Sequence, residues 1–332
     1  MSGLYSIGSI VFDCVARPVE ELPARGAASN VESIQLRLGG NGAGAAAAAA
    51  RLGVPSRLAG AVGVDAAGRQ ALLWLRGAGV NVGWVRILPE QRTAATVVLV
   101  EPDGERRFLQ DLAATAALSP DDVPFPPELA SECSWFHFGS PYCLARLRPY
   151  GRQILSSARA VGLRTSLDVD WDQQGEWIDV LEPLCPLLDV LFLNEVEAEK
   201  LTGSTAPGDV ADFFQVRGVK TVVLKSGAAG CHVLDGRERF SIPALPVAAR
   251  DSTGAGDCFC GAMLAGLIRG LDLEQAAELA NAAAAAVVHA GCASDGVPTF
   301  EEARAQALAF SGSRESRRQP MRSLAASSQR TG

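Results

Sequence analysis

The sequence predicts an α/β fold, a three-layer α/β/α sandwich around a mainly parallel sheet with a small β-sheet lid over one end. Three observations carry this expectation. Short apolar runs alternate with helical patterns along most of the chain, as repeated βα units do. A strand at Val31–Leu38 and a hairpin at residues 96–109 are too polar on one face for that buried sheet. A glycine-rich heptad, Asp251-Ser252-Thr253-Gly254-Ala255-Gly256-Asp257, opens a strongly apolar helix in the C-terminal part.

Taken in order, Tyr5 to Phe12 reads as a first strand ending at Asp13. Val31 to Leu38 largely alternates apolar and polar residues, as a half-exposed strand does. Gly39-Gly40-Asn41-Gly42-Ala43-Gly44 opens an alanine-rich helix that reaches Leu52 and stops at Gly53, and Arg57 to Val64 is the next strand. Thr96–Val100 and Arg106–Leu109 flank Pro102-Asp103-Gly104, a hairpin signal. Trp135–Gly139, Leu163–Asp168, Val190–Leu193 and Thr221–Leu224 are short apolar runs of the buried-strand kind. Cys258 to Gly270 places Phe259, Met263, Leu264, Leu267 and Ile268 on one helical face. From Ser311 onward the periodicity is lost. The expected organisation is one domain over residues 1–312, with the lid from about 14–38 and 92–112, and a disordered Ser/Arg-rich tail over 313–332.

With 332 residues, 48% of them hydrophobic, the chain can bury a sizeable core. A net charge of −7 argues against nucleic acid as the main partner. The eight cysteines lack zinc-site spacing and read as free thiols of a reducing compartment. No stretch of eighteen apolar residues occurs, and Met1 to Asp13 lacks a basic segment followed by an apolar core. The expectation is a cytoplasmic protein with no membrane contact. Lys200, Lys220 and Lys225 are the only lysines beside many arginines and long alanine runs, a pattern that reads as codon bias without functional meaning.

The heptad carries the chemistry. Gly254, Ala255 and Gly256 let backbone amides turn toward one point at a helix N-terminus, where unpaired N–H groups and the helix dipole favour phosphate. A carboxylate is out of place there unless Asp257 takes a proton from a hydroxyl that attacks the phosphate. A capped glycine-rich turn, with Asp257 complementing the dipole, gives the same spacing.

The heptad, with Gly261-Ala262 following, resembles the C-terminal signature of the ribokinase-like (PfkB) carbohydrate kinases. The resemblance implies ATP- and Mg²⁺-dependent transfer of the γ-phosphate to a hydroxyl of a sugar or sugar derivative. Asp257 would be the catalytic base, and the amides of Gly254, Ala255 and Gly256 the anion hole. Gly39, Gly40 and Asn41 resemble the family's sugar loop, and Gly8-Ser-Ile-Val-Phe-Asp13 places Asp13 among the sugar contacts. Many members carry Asn where this chain has Gly44, so Gly44 implies room for a bulkier acceptor or a water. Asn194 and Glu197 match the family's Asn-x-x-Glu near Mg²⁺, which acts through water; by itself the spacing is a helix start. Lys225, Gly227 and Gly230 resemble the nucleotide loop, although a plain hairpin turn explains the glycines equally well. Asn281 matches a position beside adenine. Many members also bind K⁺ behind the anion hole, which the resemblance assigns to Asp251 and carbonyls near Thr253 and Gly291. In Asp168-Val-Asp170-Trp-Asp172, Asp168 keeps the family residue while Asp170 and Asp172 depart from it and point to a different substrate preference. In the family the lid covers the sugar and supports homodimers.

The matches run from Gly8 to about Pro298. A nucleoside kinase of the same fold and a non-catalytic sugar- or nucleotide-sensing relative are the alternatives. Gly40-x-Gly42-x-x-Ala45 with Asp65 mimics a dinucleotide-binding fingerprint, but a strand precedes that loop's own strand and the heptad would then have no role.

Overall fold

The computed structural model describes residues 2–102, 104–236, 238–291 and 296–312; the expected tail at 313–332 and Asp103 of the hairpin signal lie outside them. The chain sets out on β1 (Gly3–Ile7) and then changes sheet, because β2 (Val11–Arg17) belongs to the lid. The single strand expected over Tyr5–Phe12 is therefore two, and Asp13 sits inside a lid strand rather than at the end of the first core strand. Residues 3 to 11 are all buried, so no change in polarity marks the break. The turn is set by backbone crowding. A Cβ on Gly8 would lie 2.7 Å from Gly42 Cα and 2.9 Å from the Gly139 carbonyl oxygen.

The main sheet adds β4 (Ser56–Gly63), β5 (Val80–Leu88), β8 (Cys133–Gly139), β9 (Arg164–Asp168), β10 (Val190–Asn194), β11 (Thr221–Lys225), β12 (Cys231–Asp235) and β13 (Glu238–Ile242). Its nine strands run in the order β13-β12-β11-β10-β9-β8-β1-β4-β5. All neighbours are parallel except at the edge, where β11–β12 and β12–β13 are antiparallel. The chain order reverses beside β1, and ligand sites of open parallel sheets form in the crevice at such a point, outside the carboxyl ends of the strands. The lid is a four-stranded sheet, β3 (Ser33–Gly39), β2, β6 (Ala94–Val100) and β7 (Arg106–Asp111) in that order.

Helices cover both faces of the main sheet. On one face Asn41–Arg51, Ala255–Ile268 and Leu273–Ala290 pack almost backbone to backbone. A Cβ on Gly261 would fall 2.3 Å from the Ala45 carbonyl oxygen, and one on Gly266 would fall 3.1 Å from Ala276 Cα. Ala43 and Ala45 to Ala49 are all buried, Ala48 and Ala49 in that contact and Ala43, Ala46 and Ala47 against β4 and the helix Ala66–Gly77. The alanine run is thus a packing requirement, not compositional drift, since larger side chains there would overpack the contact by ~1–3 kcal/mol. The one-sided apolar face expected for the 258–270 helix is also corrected. Every residue from Cys258 to Gly266 is buried, because the helix is enclosed on all sides.

Candidate active site

The helix Ala255–Ile268 starts from Gly254, whose left-handed backbone (φ 77°) suits glycine. Ala255 N–H donates to the Ser252 carbonyl at 3.2 Å, while Gly254 and Gly256 have no N–H acceptor among the described residues. Those two amides are free to meet an anion at the helix start. Asp257 follows in the first turn, half-buried, with its pKa pushed up to about 7. Burial is the main cause, Asp168 adds to it, and Lys225 opposes it. Gly44 of the facing helix stands against this carboxylate. A Cβ there would be 2.6 Å from Asp257 Cβ and 3.0 Å from its Oδ2. The room that Gly44 was expected to leave for an acceptor is taken up by Asp257.

The floor of the cleft comes from the carboxyl ends of neighbouring strands. Asp168 ends β9 and Lys225 ends β11, and their side chains form a buried ion pair of 2.6 Å. Asn41 Nδ2 donates to the other Asp168 oxygen at 3.3 Å. Lys225 Nζ also lies 3.5 Å from where a Cβ on Gly256 would be, at the edge of the amide cluster. Asp168 thus joins the 39–41 loop to Lys225, a link that its place in the sequence does not reveal.

Asn194 and Glu197 form a closed capping box. Asn194 N and Nδ2 each donate to a Glu197 oxygen at 2.8 Å, and Glu197 N donates to Asn194 Oδ1 at 2.9 Å. Burial pushes the Glu197 carboxyl up to about 8, with Lys225 pulling it down and Asp168 pushing it further up.

The 39–41 loop packs tightly. A Cβ on Gly39 would be 2.1 Å from Asp13 Oδ2, and one on Gly40 would be 2.3 Å from the Ser9 carbonyl oxygen. Only glycines let the loop reach this close. Asn41 N donates to Ser9 Oγ at 3.1 Å, which fixes the start of the helix beneath the cleft. Asp13 is buried, and its carboxyl rises to about 6 through burial, against hydrogen bonding from Thr96 and the charge of Arg37.

Other expected residues hold structure. Asp170 accepts the N–H groups of Tyr142 and Cys143 at 3.0 and 3.1 Å. Asp172 takes Arg148 Nη2 on both oxygens, at 3.1 and 3.0 Å. These two acids, where the chain departs from the family, tie down the loops that follow β8 and β9. Asn281 is buried, and its amide donates to the Ile242 and Pro243 carbonyls at 3.1 and 3.3 Å. Gly230 lets β12 approach the end of β13, since a Cβ there would be 2.0 Å from the Ile242 carbonyl oxygen. Gly227 faces open space at the start of the same turn. Gly291, with φ 68°, closes the helix Leu273–Ala290. Asp251 is buried and paired at 2.6 Å with Arg37 of β3, a lid residue that the sequence reading missed. In the alternation of β3 Arg37 shares the polar side with Ser33 and Gln35, so nothing in the sequence marks it as buried.

A buried carboxylate of raised pKa beside free helix-start amides and a buried lysine is an arrangement that suits phosphoryl transfer. The family model for pfkB family carbohydrate kinases matches residues 1–299. The chain belongs to this family. It is a phosphotransferase with an alcohol acceptor, and ATP-dependent sugar phosphorylation is the family's reaction. It is 30% identical to fructokinase-1 of Oryza sativa over 80% of this chain and 86% of the relative. It is 26% identical to the 2-dehydro-3-deoxygluconokinase of Bacillus subtilis over 83% of this chain and 88% of the relative. In structure it is similar to Arabidopsis thaliana ribokinase complexed with ribose and ATP, with TM-score 0.78 and 26% identity over 92% of this kinase and 99% of that chain. A putative ribokinase II from E. coli in complex with ATP and Mg²⁺ gives TM-score 0.80 and 26% identity over 92% and 98%.

ATP and Mg²⁺ fit the charges of this kinase's cleft. Asp257, Asp168 and Glu197 gather around Lys225, and burial with repulsion from Asp168 raises the carboxyls of Asp257 and Glu197. Of the cations, Lys225 is buried there and Arg106 of the lid also acts on Asp257. Among the described residues no cluster of three His, Cys, Asp or Glu could hold a metal alone. Mg²⁺ keeps its waters and binds through substrate phosphates plus one or two carboxylates, which Glu197 and its neighbours can supply. No described helix is long and apolar enough to cross a membrane.

Proposed function

We propose that Asp257 is the general base of this kinase and that it deprotonates an acceptor hydroxyl of a sugar or sugar derivative. The observation that carries the reading is the place of its carboxylate, in the first turn of a helix whose Gly254 and Gly256 amides are free. A carboxylate positioned on a hydroxyl contributes ~10²–10⁴ in rate. The free amides of Gly254 and Gly256, with Lys225 alongside, would stabilise charge on the transferred phosphoryl group, while the Ala255 amide stays with the Ser252 carbonyl. Asp13, Gly39, Gly40 and Asn41 would grip the acceptor, with Lys225, Gly227, Gly230 and Asn281 lining or supporting the nucleotide end. Glu197 and Asn194 would hold Mg²⁺ through its waters, since each Glu197 oxygen keeps lone pairs beyond its hydrogen bond to Asn194. When bound, the ion would neutralise charge on the nucleotide's β- and γ-oxygens.

A screen of ADP release over sugars, sugar acids, sugar phosphates and nucleosides tests the acceptor class. Turnover highest on a sugar or sugar acid supports the reading. Turnover confined to nucleosides would favour a nucleoside kinase, and no turnover on any acceptor would favour a sensing relative.

A homodimer through the lid has its own observation. Leu36, Cys14, Val97 and Leu109 lie opposite one another across all four lid strands, and Leu36, Val97 and Leu109 are exposed. An apolar sheet face of this kind is a usual interface. Leu36→Glu should shift the sedimentation coefficient toward that of a monomer; an unchanged coefficient would refute the lid interface. The free thiols among the described cysteines fit a reducing, cytoplasmic location.

A further inference from the structure

Asp251 opens the 251–257 loop, and both of its carboxylate oxygens already have donors. Oδ1 accepts the Thr253 N–H at 2.8 Å, and Oδ2 accepts Arg37 Nη1 at 2.6 Å. Arg37 is 3% exposed, so this is a buried charge held in a fixed position. Its Nε and Nη2 both donate to Gln35 Oε1, which steadies the guanidinium from the opposite side. The Asp251 carboxyl lies below its ordinary range; burial would raise it, but hydrogen bonds from Thr253 and the Arg37 guanidinium prevail.

A second lid arginine stands close by. Arg17 Nη1 donates to the Arg250 carbonyl at 2.7 Å and lies 3.7 Å from where a Cβ on Gly291 would be. Arg250 and Asp251 in turn donate their N–H groups to the Val288 carbonyl at 3.1 and 3.4 Å. One guanidinium group therefore bonds Asp251 and a second stands beside Gly291. A K⁺ ion there would compete with Arg37 for the Asp251 carboxylate and meet a like charge at short range. A guanidinium stays protonated at any working pH, so the competition does not lapse. These residues do not fit K⁺.

We propose that Arg37 is a built-in cation that positions the Asp251–Asp257 loop, so that this kinase holds its anion hole in order without K⁺. The proposal rests on the kinase reading above. It also ties the loop to the lid. Arg37 on β3 lies directly opposite Asp13 on β2, so the acceptor contact and the loop's anchor share one pair of strands. A free ion could not make that link.

The test measures binding of the full chain to the Mg²⁺ complex of a non-hydrolysable β,γ-methylene ATP analogue by calorimetry. Potassium chloride and tetramethylammonium chloride are compared at matched ionic strength, for wild type and Arg37→Met. Wild-type affinity should agree within about twofold between the salts, while Arg37→Met should bind at least about fivefold more weakly without K⁺. Added K⁺ or guanidinium ion should recover affinity in the variant, a rescue that loss of packing alone would not show. A wild-type affinity that rises about fivefold or more with K⁺ would overturn the proposal. So would an Arg37→Met protein that binds like wild type in tetramethylammonium. If Arg37→Met does not fold, the wild-type comparison decides alone, with Arg37→Lys as the variant that keeps the charge. If the nucleotide binds in neither salt, the kinase reading fails instead. Melting temperature then still judges Arg37, because a K⁺-specific rise in the wild type overturns its role.

Discussion

Gly44 and Asp257 stand against each other across the cleft, with a Cβ at Gly44 falling only 2.6 Å from Asp257 Cβ. The alanine-rich helix that carries the acceptor loop thus also sets how deeply Asp257 sits. Gly44→Ala should displace the carboxylate and lower kcat at least about tenfold, on the scale of the ~1–3 kcal/mol that overpacking costs. Steady-state kinetics on the best acceptor check this. A kcat within twofold of wild type would show that the contact does not govern the base.

Lys225 and Asp168 form a pair with 14% and 1% side-chain exposure. Removing one member of a buried pair leaves the other charge unpaired, at a cost of ~3–5 kcal/mol. Lys225→Met should therefore lower the melting temperature and weaken nucleotide binding together. A variant that loses nucleotide affinity at unchanged melting temperature would mean that Lys225 serves the phosphates alone.

Asp13, on lid strand β2, is packed against Gly39 at the end of β3. Asp13→Ala should raise the acceptor KM or lower kcat/KM by about tenfold, with KM for ATP nearly unchanged. If ATP binding weakens while the acceptor is untouched, the two ends of the cleft are exchanged.

Glu197 is engaged on both oxygens by Asn194, so it is a helix cap whatever else it does. Glu197→Gln should shift the magnesium titration to higher concentration at half-maximal rate. An unchanged titration with equal kcat would leave the pair as a cap only.

What was legible in the sequence was local. The heptad revealed itself through residue type and order, because a helix N-terminus with flanking glycines is built from neighbours in the chain. Seven parallel strands of the main sheet gather the site at their carboxyl ends, and most of their apolar runs were readable for the same reason. Contacts between distant segments were not. The sheet change after Ile7 is invisible because both sides of it are buried. Arg37 is an unremarkable charge on a half-exposed strand until strand pairing turns it inward against Asp251, more than two hundred residues away. Asp170 and Asn281 have side chains suited to ligands, yet their bonds go to backbone groups of loops that no spacing rule places beside them.

The Asp257 base carries the account, and its raised pKa of about 7 makes two effects separable. An acid with a raised folded-state pKa stabilises the fold fully below its unfolded value and loses that contribution as pH climbs through about 7. Asp257→Asn, which mimics the neutral form, should therefore melt at a higher temperature than wild type at pH above that value, and the gap should close in acid. Wild-type kcat/KM should rise with pH through the same range, since the base must be ionised to accept a proton. The direct test is ADP release by Asp257→Asn on the best acceptor, measured beside its affinity for Mg²⁺·ATP. The account predicts turnover reduced ~10²–10⁴-fold with nucleotide affinity retained. A near-normal kcat in this variant would contradict it.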